Sequence, residues 1–193
     1  MRSRALTPAE IETIRRNLAN STDHYAQRDR TLFEIGVNCG LRISEALALT
    51  VGQVWQHEHV VGRLELTRTK GDKPRAVPLN QPAKDALSAL LKIKRERGER
   101  MDDDAPLFVS RNGQRLVRAQ AHNRLRRVYW SAGLTGKVTT HSLRKSFATR
   151  MHDRGVKIRE IQVLLGHSSV STTQRYIDVR DDQLVDAVAM LEG

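Results

Sequence analysis

An α+β fold, mainly α-helical with a small antiparallel β-sheet, is predicted by three observations. Capped segments with apolar residues at helical spacing recur along the chain, and one stretch, residues 60–79, switches to apolar/polar alternation around Gly71-Asp72-Lys73-Pro74. A length of 193 residues with 39% hydrophobic content suits a single compact core.

The first helix begins at Thr7, with Pro8 in the first helical position and Glu10 three residues after the cap, and Ile11, Ile14 and Leu18 follow on one face. Residues 28–37 carry Leu32, Phe33, Ile35 and Val37. Asn38-Cys39-Gly40 then breaks the pattern before residues 41–49 resume it, which predicts two helices joined at a glycine hinge. The alternating stretch 60–70 turns and returns as residues 75–79, a hairpin with Lys70 near its tip. Residues 82–93 form an amphipathic helix with Ala86, Leu87, Leu90 and Leu91 inward, followed by a basic run and a flexible acidic loop at Asp102, Asp103 and Asp104. Leu107-Phe108-Val109 reads as a short strand with a turn at Asn112-Gly113. Residues 120–132 make a helix carrying Arg124, Arg126 and Arg127, which either track a phosphate backbone or form a solvated face.

The last third is helix after helix: residues 141–153 ending near Gly155, residues 158–165 stopped by Gly166, and a short helix through Tyr176. In the tail, residues 181–193, Leu184, Val188 and Leu191 recur at helical spacing with little local sequence to cover them.

Thirty-three Lys and Arg against 22 Asp and Glu give a formal charge of +11, the balance of a protein that meets a polyanion. Cys39 is the only cysteine, which excludes an intramolecular disulfide and a thiolate metal cluster and fits a reducing, cytoplasmic compartment. No apolar run approaches membrane-spanning length. His57-Glu58-His59 offers two imidazoles without a third ligand nearby and reads as a surface turn, so neither a metal nor another cofactor is expected.

Chemistry concentrates in four segments: Gly40-Leu41-Arg42-Ile43-Ser44-Glu45-Ala46-Leu47, His141-Ser142-Leu143-Arg144, Leu165-Gly166-His167 and Tyr176. Each is common alone. Together, in this order, they resemble the tyrosine recombinase (phage integrase) family, from about Leu6 to about Asp178.

The resemblance implies a site-specific DNA recombinase that cleaves and rejoins DNA through a 3'-phosphotyrosine, with Tyr176 as nucleophile. Arg42 and Arg144 match the family's phosphate clamp, a role that suits a planar guanidinium able to donate paired hydrogen bonds and to stay charged throughout. Glu45 matches an acidic position that orients its neighbours, and also stands at helical pairing distance from Arg42. Three-residue spacing turns His141 and Arg144 in much the same direction, toward one phosphate, and Tyr176 would lose its proton with help from the phosphate cage and His141. His167 matches a histidine that contacts a non-bridging phosphate oxygen or supports the transition state, and otherwise reads as a buried structural histidine. Lys70 matches the hairpin lysine that protonates the leaving 5'-hydroxyl, with Arg68, Lys73 and Arg75 close enough to be DNA contacts or rivals for that role. Arg124, Arg126 and Arg127 are further candidate DNA contacts. The implied partners are double-stranded DNA, other copies of the chain in a tetrameric synapse, and accessory DNA-bending proteins, with the protein at the nucleoid when bound.

Residues 1–180 are expected to form the catalytic domain and residues 181–193 a helical tail that either docks on a neighbouring protomer or folds back on its own domain. The N-terminal core-binding domain of most members has no counterpart here, as in a fragment of a longer integrase or a catalytic-domain-only member. Two other functions compete: a type IB topoisomerase using the same chemistry on one duplex, and a non-catalytic DNA-binding regulator that keeps the fold.

Overall fold

The computed structural model describes residues 3–66 and 74–177, together with 184–185 and 188–189. Helix α1, Pro8–Ala19, opens with the expected reciprocal cap. The Thr7 hydroxyl accepts the Glu10 N–H at 3.2 Å, and the Glu10 carboxylate accepts the Thr7 N–H at 2.8 Å.

Helix α2, Ala26–Cys39, is buried on all sides, and its contacts run to α1, to α5 (Gln81–Glu96), to α6 (Arg118–Ser131) and to α7 (Thr140–His152). A helix enclosed in this way has to satisfy every polar side chain internally. Asp29 holds Arg28 and Arg124, Glu34 holds Arg15 and Asn38, and Thr31 bonds to the Ala86 carbonyl. Leu32, Phe33, Ile35 and Val37 fill the main core alongside Leu87, Leu91, Leu125 and Leu143. Gly40, left-handed at φ 62°, ends α2, and α3 (Ile43–Ala48) follows after two residues, as the glycine hinge predicts.

After α4 (Val51–Val54) come, among the described residues, two separate two-stranded antiparallel sheets where one was expected. Strands β1 (Trp55–Gln56) and β2 (His59–Val60) form a tight hairpin whose turn is His57-Glu58, both at positive φ. The histidines thus lie in and beside a surface turn. Strand β3 (Arg63–Leu66) pairs with β4 (Arg75–Pro78) in the register Leu64↔Val77 and Leu66↔Arg75. The second hairpin therefore starts at Arg63, because Val60 already pairs with Trp55. Its tip, with Arg68, Lys70 and Lys73, lies outside the described residues.

Three other expectations give way. The acidic loop is tied down, since the Gly52 N–H donates to the Asp103 carbonyl and the Val51 N–H to that of Ala105. Residues 107–109 form no strand among the described residues; Val109 makes a single bridge to Arg115, and another, Thr50↔Pro106, precedes them. Helix α7 is followed by α8 (Ile158–Leu165), stopped by Gly166 as expected, and by α9 (Val170–Gln174), which ends before Tyr176 instead of running through it. Phe147, Ala148, Ile161 and Leu165 build a second core there, with Tyr176 against it. No described helix is long and apolar enough to cross a membrane. Of the tail stripe, Leu184 and Val188 are helical and exposed, while Leu191 lies outside the described residues.

Candidate active site

Three turns of chain converge where α2 ends, α7 begins and α8 ends. The left-handed Gly40 lets the backbone reverse so that Arg42 caps α3, its N–H given to Glu45 Oε2 at 2.7 Å and its guanidinium to Oε1 at 3.2 Å. A Cβ on Gly40 would fall 2.5 Å from Phe147 and 2.9 Å from Leu165, so this position requires glycine for space as well as for φ.

Helix α7 opens on a cap in which the Thr139 hydroxyl accepts the His141 N–H and the Thr139 N–H donates to Ser142 Oγ. Arg144, one turn in, is 1% exposed. Its guanidinium donates to the carbonyl of Gly40 at 2.6 Å and to that of Leu165, which ties α7 to the ends of α2 and α8. Its Nε has no hydrogen-bond partner among the described residues, and the carboxylate it faces, Glu45, stands 3.9 Å away. Burial pulls its pKa down to about 10, helped by Arg42 and Arg75 and opposed by Glu45, so it stays charged at neutral pH. His141 differs from its helical neighbour in being exposed, at the rim of the site where Arg144 is at the floor. Desolvation of its ring, then the positive charges of Arg118, Arg144 and Arg42, hold the imidazole pKa below the ordinary histidine value.

Glu45 is the hub. Besides Arg42 it accepts both Nη1 and Nη2 of Arg75 at 2.9 Å. Burial pulls its pKa upward, but the Arg75 hydrogen bonds, the Arg42 N–H and the charges of Arg75 and Arg144 outweigh it and leave the carboxyl below its usual range. Arg75 also donates through Nε to the Leu164 carbonyl at 2.9 Å and lies across Gly166, where a Cβ would stand 2.8 Å from its Cδ. Its expected role as a DNA contact is corrected by these bonds: the guanidinium is occupied inside the fold and orients Glu45.

His167 follows Gly166 and is buried, its Nδ1 2.9 Å from Thr173 Oγ1. Tyr176 lies beside it, the ring centroids 5.2 Å apart, with its N–H on the Thr173 carbonyl and its own carbonyl held by Thr149 Oγ1. The phenol shares a cleft with His141, Thr139, Lys137, Lys145, Arg175 and Ser3.

Arg42, Glu45, His141, Arg144, His167 and Tyr176 are therefore drawn together, whereas the candidate contacts on α6 are not among them. Arg124 bridges Asp23 and Asp29, a structural role in place of the expected DNA contact, while Arg126 and Arg127 are exposed. Sequence reading missed Thr173, Gln162 and the basic cleft residues Lys137 and Lys145. Only the short distance of Thr173 from Tyr176 in the chain signalled any of them.

The phage integrase family matches residues 4–183. The chain is 35% identical over 180 residues to tyrosine recombinase XerD of Lacticaseibacillus casei, covering 93% of this chain and 60% of that protein. It is 36% identical over 182 residues to tyrosine recombinase XerC of Herpetosiphon aurantiacus, covering 94% and 58%. The chain thus spans about three fifths of the length of these curated relatives. Among solved structures, it is similar to XerH site-specific recombinase in a post-cleavage complex with palindromic difH substrate, at TM-score 0.81 and 27% identity over 98% of this chain and 53% of that one. XerA recombinase gives TM-score 0.80 at 28% identity, covering 98% and 65%. Because the match runs from the N-terminal segment through both clusters of arginine and histidine and past Tyr176, the chain belongs to the phage integrase family.

Proposed function

We propose that this chain is the catalytic part of a site-specific DNA recombinase that breaks and reseals a phosphodiester through Tyr176. The observation that carries the reading is Arg144, a guanidinium 1% exposed, kept charged, with Nε unsatisfied and Glu45 no closer than 3.9 Å. A buried charge held in this way is costly unless an anion completes it, and the two non-bridging oxygens of a phosphodiester fit a planar donor.

On this reading Arg144 and Arg42 hold the non-bridging oxygens and absorb the charge that grows in the pentavalent transition state. Neutral His141, its pKa held down by desolvation and neighbouring cations, takes the phenolic proton as the Tyr176 oxygen attacks phosphorus. The 5'-oxygen leaves with a proton from Lys70, a role that rests on the family resemblance. The phosphotyrosine ester conserves the bond energy, so attack by a 5'-hydroxyl on it reseals the strand and returns the proton to Tyr176 without ATP. Double-stranded DNA is the substrate. The XerH structure, captured after cleavage of its own substrate, supports that assignment. Exchange of strands requires a tetrameric synapse, with DNA-bending proteins as helpers and the nucleoid as the place of action.

The test is a nicked suicide substrate from the native locus incubated with wild type and Tyr176→Phe. A denaturation-resistant protein–DNA adduct is expected for wild type and absent for the variant. Wild type that binds the site without forming an adduct, or an adduct that survives in Tyr176→Phe, overturns the proposal.

A further inference from the structure

Three hydrogen bonds hold His167, two at its backbone and one at its ring. Gln162, itself buried, grips the backbone: its carbonyl accepts the His167 N–H at 3.1 Å and its Nε2 donates to the His167 carbonyl at 2.8 Å. Arg159 in turn donates to Gln162 Oε1 at 2.7 Å. The ring contact is Thr173, 0% exposed, whose Oγ1 lies 2.9 Å from Nδ1.

The direction of that last bond follows from what the hydroxyl has around it. Among the described residues Thr173 Oγ1 makes no other hydrogen bond. If Nδ1 carried the proton, the bond would run from the ring to the oxygen and strand a buried O–H without an acceptor. Donation from the hydroxyl to Nδ1 satisfies both groups. A ring that accepts at Nδ1 carries its proton on Nε2, and the nitrogen bearing the proton is the one able to donate to an anion. The same residue holds the nucleophile, since its carbonyl accepts the Tyr176 N–H at 2.9 Å.

We propose that Thr173 is a positioning residue that fixes neutral His167 in the Nε2–H tautomer, so that the ring donates to the scissile phosphate without first being protonated, and that anchors Tyr176 beside it. This rests on the recombinase reading of the same site. Arg75 from β4 and Arg159 on α8 line the same cleft as His167, Tyr176 packs on its ring, and Arg144 from α7 donates to the carbonyl of Leu165 nearby. Glu45 faces both Arg75 and Arg144, and α8 and α7 further carry Glu160, His141, Lys145, Arg150 and His152. With Nδ1 accepting from Thr173 Oγ1, Nε2–H is the ring's donor, so the tautomer supplies a donor without a charge on the imidazole.

Two measurements test it on the full chain. Nitrogen-15 spectra of histidine-labelled wild type should show His167, assigned by loss of its signal in His167→Gln, with an unprotonated Nδ1 and a protonated Nε2. A protonated Nδ1 overturns the proposal, and this readout needs no DNA, so it stands even if the recombinase reading fails. Single-turnover adduct formation on the nicked substrate is then followed from about pH 6 to about pH 8, where an ordinary histidine titrates. Thr173→Val should lose about tenfold or more at the alkaline end and recover as acid supplies the missing proton, while Thr173→Ser stays close to wild type. A loss in Thr173→Val that is equal at every pH, or one that Ser fails to restore, marks Thr173 as a packing residue and overturns the assignment.

Discussion

Glu45 accepts hydrogen bonds from Arg42 and Arg75 while almost fully buried, and Arg144 faces it at 3.9 Å. Removing its charge would leave buried guanidinium groups uncompensated, a loss of about 3–5 kcal/mol for a broken buried pair. Glu45→Gln is therefore expected to lower the urea midpoint markedly at neutral pH. Because its carboxyl titrates below the usual range when folded, Glu45 adds stability above the unfolded carboxylate pKa, and that stability is lost as pH falls through the folded value. The gap between wild type and variant should thus close on acidification; a gap that persists unchanged in acid contradicts the hub role. Half of this pairing was legible in the sequence, since Arg42 and Glu45 are three residues apart on one helix. The Arg75–Glu45 pair, 30 residues apart, was not, because nothing local encodes which hairpin arginine reaches back to α3.

Helix α7 carries both His141 and Arg144, and its seat is the crossing with α2. Gly36 makes that crossing close: a Cβ there would lie 2.6 Å from Leu143 Cδ1 and 2.9 Å from its Cβ. Intrinsic propensity favours alanine over glycine in a helix interior by about 1 kcal/mol. Overpacking a filled core costs about 1–3 kcal/mol, and here the obstacle includes a Cβ that cannot rotate away. Packing should win. Gly36→Ala is expected to be less stable than wild type in urea unfolding and slower to form the adduct, as α7 is pushed outward with its two site residues. A variant more stable than wild type would show that the crossing yields more readily than the geometry implies. The elements themselves were largely legible: the Thr7 cap, the Gly40 and Gly166 stops and the inward faces of α1 and α5 all follow from local signals. The short elements were not. Val60 went to a different hairpin, and residues 107–109 made bridges instead of a strand, because an alternating pattern marks burial and not pairing partner.

At the scale of the molecule, two packed regions meet at the site. The larger core surrounds α2, and the smaller one, between α7 and α8, supports Tyr176. Leu184 and Val188 belong to neither and are 56% and 62% exposed, apolar surface that a protomer–protomer contact would cover. Deleting residues 181–193 is accordingly expected to depress strand exchange between two sites more than cleavage at one, measured side by side on the same DNA; an equal fall in both would assign the tail to folding. The sequence by itself determined the helical frame, the basic charge, the family resemblance and the six residues from Arg42 to Tyr176 that gather at the site, because caps, periodicity and motif spacing are local. Only the tertiary structure decided that Arg144 is buried while His141 stands at the rim, that Arg75 and Arg124 are held by carboxylates within the fold, and that Thr173 holds the ring of His167. Those outcomes depend on which distant groups arrive at hydrogen-bonding distance and how much water is left there, and chain spacing carries neither.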